Sequence, residues 1–315
     1  MGGELLVSSA SFWAWAGFGV LVAALLALDL FVFHREPHAD THRQALVWSL
    51  FWIGVALLFG VVVAVLDGHE KGIEYLTGYL VEKALSVDNL FVFLAIFSYF
   101  RVQEDYQHRV LFWGVIGAIV MRGIFIFIGG ALLHAFHFVF YVFGAFLVFT
   151  AIKLLFEKDQ KVDIEHNWAL RVFRRLVPAT SVYHGGAFFV RDEATSRLLA
   201  TPLLLVLVVV EASDVMFAVD SVPAVFGVTE DVFIVYTSNI FAILGLRALY
   251  SLLASFMARF RYLRPGLALV LGFIGVKMLV QDLLHIPTPV SLAVVAVILA
   301  VAVVLSLFWP EGQSP

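Results

Sequence analysis

Apolar runs about as long as a bilayer is thick recur from one end of this sequence to the other. A helix crossing the hydrocarbon core needs about 20 mostly apolar residues. Nine such runs can be read, at roughly 13–33, 45–66, 76–99, 110–128, 138–156, 201–219, 231–254, 265–284 and 289–308. With 62% hydrophobic and 14% charged residues, the chain departs from a soluble domain, which is about half apolar and a quarter charged. The expected fold class is all-α, a polytopic membrane bundle of about nine transmembrane helices.

The loops between the runs carry an uneven share of positive charge. Arg35 and Arg43 follow the first run, Arg101 and Arg109 the third, and Lys158, Lys161, Arg171, Arg174, Arg175, Arg191 and Arg197 the fifth. Arg259, Arg261 and Arg264 follow the seventh, whereas the opposite set of loops holds only Lys71. Basic residues concentrate on the cytoplasmic side, so fourteen against one predicts an outer N-terminus and a cytoplasmic C-terminus. The start, MGGELLVSSASFW, lacks the basic n-region and small-residue cleavage site of a signal peptide, and the first run is expected to stay as a span.

Residues 1–315 read as one transmembrane domain with a single long cytoplasmic loop at 157–200. Within that loop HNWALRVFRRLV sets Trp168, Val172, Phe173 and Leu176 opposite Arg171, Arg174 and Arg175, a pattern that suits a helix lying on an anionic leaflet. GGAFFVRDEATSRLLATP then reads as a short β-hairpin. Both are read as packing and orientation devices. The net charge of −4 is small, and no nucleic-acid partner is expected. The chain has no cysteine, which removes disulfides, thiolate metal sites and thiol nucleophiles together.

Charges inside the runs are few, and their order repeats. Asp88, Arg122 and Lys153 fall on runs three, four and five; Asp214, Arg247 and Lys277 fall on runs six, seven and eight. The spacings are 34 and 31 in the first series and 33 and 30 in the second. SVDNLFVF matches ASDVMFAV around the aspartates, and AIKLL matches GVKML around the lysines. With run three descending from outside and run six rising from inside, the two units are expected to be inverted three-plus-three copies, a common plan of secondary transporters with a site near midplane. At about 1.5 Å per residue, Asp88 lies roughly 18 Å from the outer end of its run, and Glu211 and Asp214 roughly 15–20 Å from the inner end of theirs. That is close to the middle of a core about 30 Å thick.

A charge at that depth costs at least ~2.5 kcal/mol and marks a functional candidate. Six acids fall in or at the edge of runs, Asp29, Glu82, Asp88, Glu211, Asp214 and Asp220, against four bases, Lys83, Arg122, Arg247 and Lys277. The surplus of two negative charges suits one divalent cation or two protons. Ligands at this depth are carboxylates, the Asn89 and Asn239 amides and the Ser86, Ser213 and Ser221 hydroxyls. Such oxygen-only sets favour magnesium, calcium or manganese. Asp220 precedes Ser221-Val222-Pro223, and since the residue before proline is pushed from helical geometry, the helix is expected to break there and free carbonyls. Structural pairing is the expected role of Asp29 and Lys83, and counter-charge that of Arg122, Arg247 and Lys277. His34, His38 and His42, spaced four apart, are read as ordinary surface histidines.

EKALSVDNLFVF, VEASDVMFAVDSVPAVFGVT, NIFAILGLRALY and FIGVKML resemble the signatures of the TerC/Alx family of integral membrane proteins. The resemblance runs from ALDLFVFHR at 27–35 to HIP at 285–287. It implies one TerC-type domain, a multi-pass inner-membrane location and a plan related to LysE-type exporters. It also implies manganese export, with tellurite resistance as the family's naming trait. Carried over by position, the family's acidic motif residues fall on Glu82, Asp88, Asn89, Glu211, Asp214, Asp220 and Ser221.

The combined expectation is a non-enzymatic, proton-coupled secondary transporter that exports manganese or another divalent cation as its substrate and has no permanent cofactor. Asp88, Asp214, Asp220 and Asn89 would ligate the ion, with Ser221 beside them; Glu82 and Glu211 would exchange protons or complete the shell. Expected partners are the divalent ion, the lipid bilayer, a second copy of the chain or exported metalloproteins. The rival is a membrane scaffold or assembly factor in metal loading or tellurite resistance. A retinal-type photoprotein built on Lys277 is the remaining alternative, opposed by the nine runs and the repeat mate Lys153.

Overall fold

The computed structural model describes residues 12–29, 42–156, 177–180, 182–191, 197–253, 262–284 and 286–308, apart from the side chains of His42, Asp88 and Leu307. Ten helices are seen among them: α1 (Phe12–Leu28), α2 (His42–Leu66), α3 (His69–Phe100), α4 (Glu104–Ala135), α5 (Phe138–Phe156), α6 (Pro202–Phe226), α7 (Val232–Leu244), α8 (Leu246–Leu253), α9 (Leu263–Leu279) and α10 (Thr288–Phe308). Among the described residues six segments are long and apolar enough to cross a membrane: Arg43–Leu66, Glu104–Ala135, Phe138–Phe156, Pro202–Phe226, Val232–Leu252 and Thr288–Ser306. The molecule is thus a helical membrane protein. At 32 residues α3 is as long as α4.

Local chemistry fixes the helix ends. Asp231 caps α7, its carboxylate accepting from the backbone N–H groups of Phe233 at 3.0 Å and Ile234 at 3.4 Å, which satisfies donors that a first turn leaves open. Pro202 opens α6, a position where its missing N–H costs nothing. Arg101 closes α3 in the left-handed region at φ 52°, its N–H reaching the Phe97 and Ser98 carbonyls. The buried hydroxyls of Thr77, Ser213 and Thr237 return to carbonyls four residues back at 2.7–2.8 Å, so none is stranded in the apolar interior.

The helices pack in a crossed pattern. The leading packing partner of α3 is α7, that of α4 is α6, and that of α5 is α9. Gly144 and Gly275 bring α5 and α9 into backbone contact. A side chain at Gly275 would meet the Gly144 carbonyl at 2.8 Å, and one at Gly144 would meet the Gly275 carbonyl at 3.0 Å. Such small-residue crossings let membrane helices approach closely. An aromatic cluster of Phe18, Phe59, Tyr75, Phe233 and Phe241 joins α1, α2, α3 and α7, with Phe59 and Phe241 rings 4.8 Å apart.

Two features differ from the sequence reading. The seventh run, read as one span at 231–254, is interrupted at Gly245. A side chain there would lie 2.9 Å from Trp52 Cβ and 3.1 Å from Lys83 Nζ, so α2 and α3 crowd the turn. The expected break near Asp220 does not occur: α6 runs through Pro223 to Phe226. Pro223 lies in the last turn, where little helix remains for it to disrupt.

Of the 157–200 loop, strands β1 (Phe189–Arg191) and β2 (Leu198–Ala200) pair antiparallel, with Phe189 opposite Ala200 and Arg191 opposite Leu198. The Thr201 hydroxyl donates to the Ala187 carbonyl at 2.7 Å and ties this hairpin to the start of α6. The amphipathic stretch at 166–177 and the histidines at 34 and 38 lie outside the described residues, except for position 177 itself.

Candidate functional site

Arg122 is the centre around which four helices meet. It projects from α4 with no exposure to solvent, and each of its three nitrogens finds oxygen. Nε and Nη2 donate to the two carboxylate oxygens of Asp214 on α6 at 3.3 and 3.1 Å, the bidentate geometry that suits guanidinium and carboxylate. Nη1 donates to the Glu82 carboxylate on α3, and to Ser221 Oγ at 3.4 Å and Asn239 Oδ1 at 3.3 Å. Glu82 is completed by Asn239 Nδ2 at 2.9 Å and Ser86 Oγ at 3.4 Å. Two carboxylates thus share one guanidinium, and the centre keeps one net negative charge.

Next to this centre lies a cavity of about 90 Å³. Asn89, Thr150, Lys153, Asp220 and Ser221 supply its polar wall, and Leu85, Leu267 and Leu271 part of its apolar one. Thr150 Oγ1 donates to Asp220 at 3.2 Å. Asn89 is buried, and Ser221 belongs to both places, bonding Arg122 while lining the cavity.

The expected ligand set is therefore divided. Asp214 and Asp220 are six residues apart on α6, and at 3.6 residues per turn their side chains leave the helix about 120° apart. Asp214 faces Arg122; Asp220 faces the cavity with Asn89 and Ser221. Glu82 joins Asp214 rather than Asp220. The Glu211 carboxylate lies against the bare Cα of Gly117, in space that a side chain there would fill. Asp88 falls on α3 one residue before Asn89, and its side chain is outside the described set. Among the described residues no three histidine, aspartate or glutamate side chains gather as a metal-binding group. A cation here would need amide and hydroxyl oxygens besides carboxylate, as hard divalent ions accept.

The remaining charges are placed for support. Arg247 Nη1 donates to Asp29 at 2.6 Å, joining α8 to the end of α1. Lys83 Nζ donates to the Ala242 carbonyl at 3.1 Å, covering a carbonyl bared by the break at Gly245. Lys277 lines a second cavity, of about 270 Å³, with Glu74, Glu230, Asp231 and Lys71. There Lys71 pairs with Glu74 at 3.0 Å and Asp231 at 3.2 Å, and Thr229 Oγ1 donates to Glu74 at 2.6 Å. Thr150 is the residue that sequence reasoning misses; its signal is a hydroxyl one turn before Lys153 on an otherwise apolar helix.

The sequence matches the model of the Integral membrane protein TerC family over residues 67–314. The chain belongs to the TerC family of integral membrane proteins. A Myxococcus xanthus membrane protein is 50% identical over 293 residues, 93% of this chain and 91% of the relative. A relative from Escherichia coli K12, named as a membrane-bound redox modulator, Alx, is 48% identical over 93% of each chain. A Rickettsia bellii membrane protein is 39% identical over 93% of this TerC chain and 97% of its own length. No solved structure matches. The family match takes in Arg122, both acidic motifs and the two cavities, and leaves α1 and α2 outside it.

Proposed function

We propose that this TerC protein is a secondary transporter that exports a divalent cation, manganese foremost, from the cytoplasm across the inner membrane. The observation that carries the reading is a cavity whose polar wall holds the oxygens of Asp220, Asn89, Ser221 and Thr150 beside Lys153, wall to wall with a buried carboxylate pair that a single arginine only half neutralises. Asp220, Asn89, Ser221 and Thr150 would receive the ion with hard oxygen ligands. Its charge would be offset by a centre that is already negative.

In this reading nine spans, with α7 and α8 together as the seventh, run from an outer N-terminus to a cytoplasmic C-terminus, and α3–α5 and α6–α9 are the inverted copies. Exchanging the copies turns the α3–α7 packing into α6–α4 and returns α5–α9 to itself, and all three contacts occur. Both halves contribute to the centre, Glu82, Arg122 and Thr150 from one, Asp214, Asp220, Ser221 and Asn239 from the other. Sites at such repeat interfaces serve alternating access. Proton coupling fits the surplus carboxylates, of which Glu211 is the free candidate.

Purified protein in liposomes should take up manganese down an imposed proton gradient, and Asp220→Asn should abolish the uptake. Wild-type vesicles that move no manganese, in either orientation of the gradient, would refute transport by this chain. The name of the Alx relatives favours a second reading, a membrane organiser that influences redox balance or metal loading. A chain without cysteine would do so through partners, and would leave manganese unmoved in the same vesicles.

A further inference from the structure

Arg122 has a place in this scheme that pairing alone does not describe. Its guanidinium takes both oxygens of Asp214 and one of Glu82; the other Glu82 oxygen is held by Asn239. A divalent ion seeking these carboxylates meets oxygens already in use. Charge points the same way. Glu82, Asp214 and Arg122 sum to one negative charge, so adding a divalent cation with the guanidinium in place leaves a net positive centre inside a fully buried cluster. With the guanidinium withdrawn, the two carboxylates and the ion balance to zero, an arrangement that a low-dielectric interior favours over the positive one.

We infer that Arg122 is a tethered counter-cation that competes with the transported ion for Glu82 and Asp214, so that entry of the ion and withdrawal of the guanidinium are one event. The inference rests on the transport reading for its purpose, though not for its test. Ser221 is the shared wall across which the exchange occurs: its hydroxyl accepts from Nη1 and also faces the cavity that holds Asp220. An ion entering that cavity comes up beside the guanidinium, and the Asp220 carboxylate offers the displaced arginine a new anion. Arginine suits the task because it stays charged at any working pH: it can move aside, but it cannot be neutralised in place.

The test is equilibrium binding of manganese to the purified full-length protein, followed by loss of the free-ion paramagnetic resonance signal. Arg122→Met should bind manganese at least tenfold more tightly than wild type while transporting it at least tenfold more slowly, because the ion is now held without a competitor. Arg122→Met combined with Asp214→Asn should return binding to the wild-type level. Arg122→Lys keeps the charge but loses the planar fork, and should tighten binding by a smaller factor. A purely structural arginine predicts the reverse, binding that is weaker or unchanged in a folded Arg122→Met protein, and that result overturns the inference. Should the methionine variant not fold, the lysine variant decides: binding no tighter than wild type overturns the inference equally. Failure of wild-type vesicles to move manganese would refute export and leave the binding comparison intact.

Discussion

Arg122 grips Asp214 with two nitrogens, at 3.3 and 3.1 Å, and so ties α4 to α6 in the middle of the bundle. The same guanidinium reaches Glu82 on α3 and Asn239 on α7. Four helices are thereby joined through one fully buried group, and the ionic centre is part of the fold as well as part of the site.

Asp214→Asn should destabilise the protein markedly. Removing one partner of a buried ion pair leaves the other uncompensated, at a cost of about 3–5 kcal/mol. Thermal unfolding in detergent should show a clear drop in midpoint relative to wild type, and an unchanged midpoint would mean that the pair is not the tie described.

Asp220→Asn should separate function from stability. Asp220 lines a cavity that it shares with Lys153 and accepts a hydrogen bond from Thr150, an acceptor that asparagine keeps, so the change should cost less stability than Asp214→Asn. Manganese uptake in vesicles should fall at least about tenfold, the equivalent of about 1.4 kcal/mol of ion binding.

Thr150→Val should weaken the ion's affinity without abolishing transport. The hydroxyl contributes one net hydrogen bond, about 0.5–1.5 kcal/mol, which corresponds to roughly a two- to tenfold rise in the concentration of manganese for half-maximal uptake. No change would remove Thr150 from the site.

Gly245→Ala should be costly although the change is one methyl group. The new atom would sit 2.9 Å from Trp52 Cβ and 3.1 Å from Lys83 Nζ, and overpacking of this kind costs about 1–3 kcal/mol. The midpoint of unfolding should fall, and Lys83→Met in the same background should not restore it, because Trp52 is the less yielding neighbour.

Asp231→Ala should lower stability by about 1 kcal/mol through loss of the α7 cap. Asp231→Asn, which keeps the cap's acceptor oxygen but not the charge facing Lys71 at 3.2 Å, should lose less. Equal losses would assign the effect to the ion pair instead.

Much of this architecture is legible in the amino-acid sequence itself. Helical spans, sparse charges and the surplus of two acids follow from the length of apolar runs and from how badly lipid tolerates ions. Arg122 and Arg247, read as counter-charges, face Asp214 and Asp29. What the sequence leaves unread comes from rotation about a helix or approach from another helix. Asp214 and Asp220 share one motif but leave α6 about 120° apart, so proximity in sequence overstates their partnership. The interruption at Gly245 is imposed by Trp52 and Lys83 from α2 and α3, which a local window does not contain. Pro223 marks a break in local terms, yet its position in the final turn of α6 makes it harmless. Thr150 carries no charge and gains its meaning only from Asp220, 70 residues away.

The glycine contact between α5 and α9 has a mechanical consequence. At Gly144 and Gly275 carbonyl lies against bare Cα, with Met278, Leu279 and Val148 closing around the crossing. Any relative movement of these two helices would then pivot about that point, smallest at the crossing and largest at the helix ends.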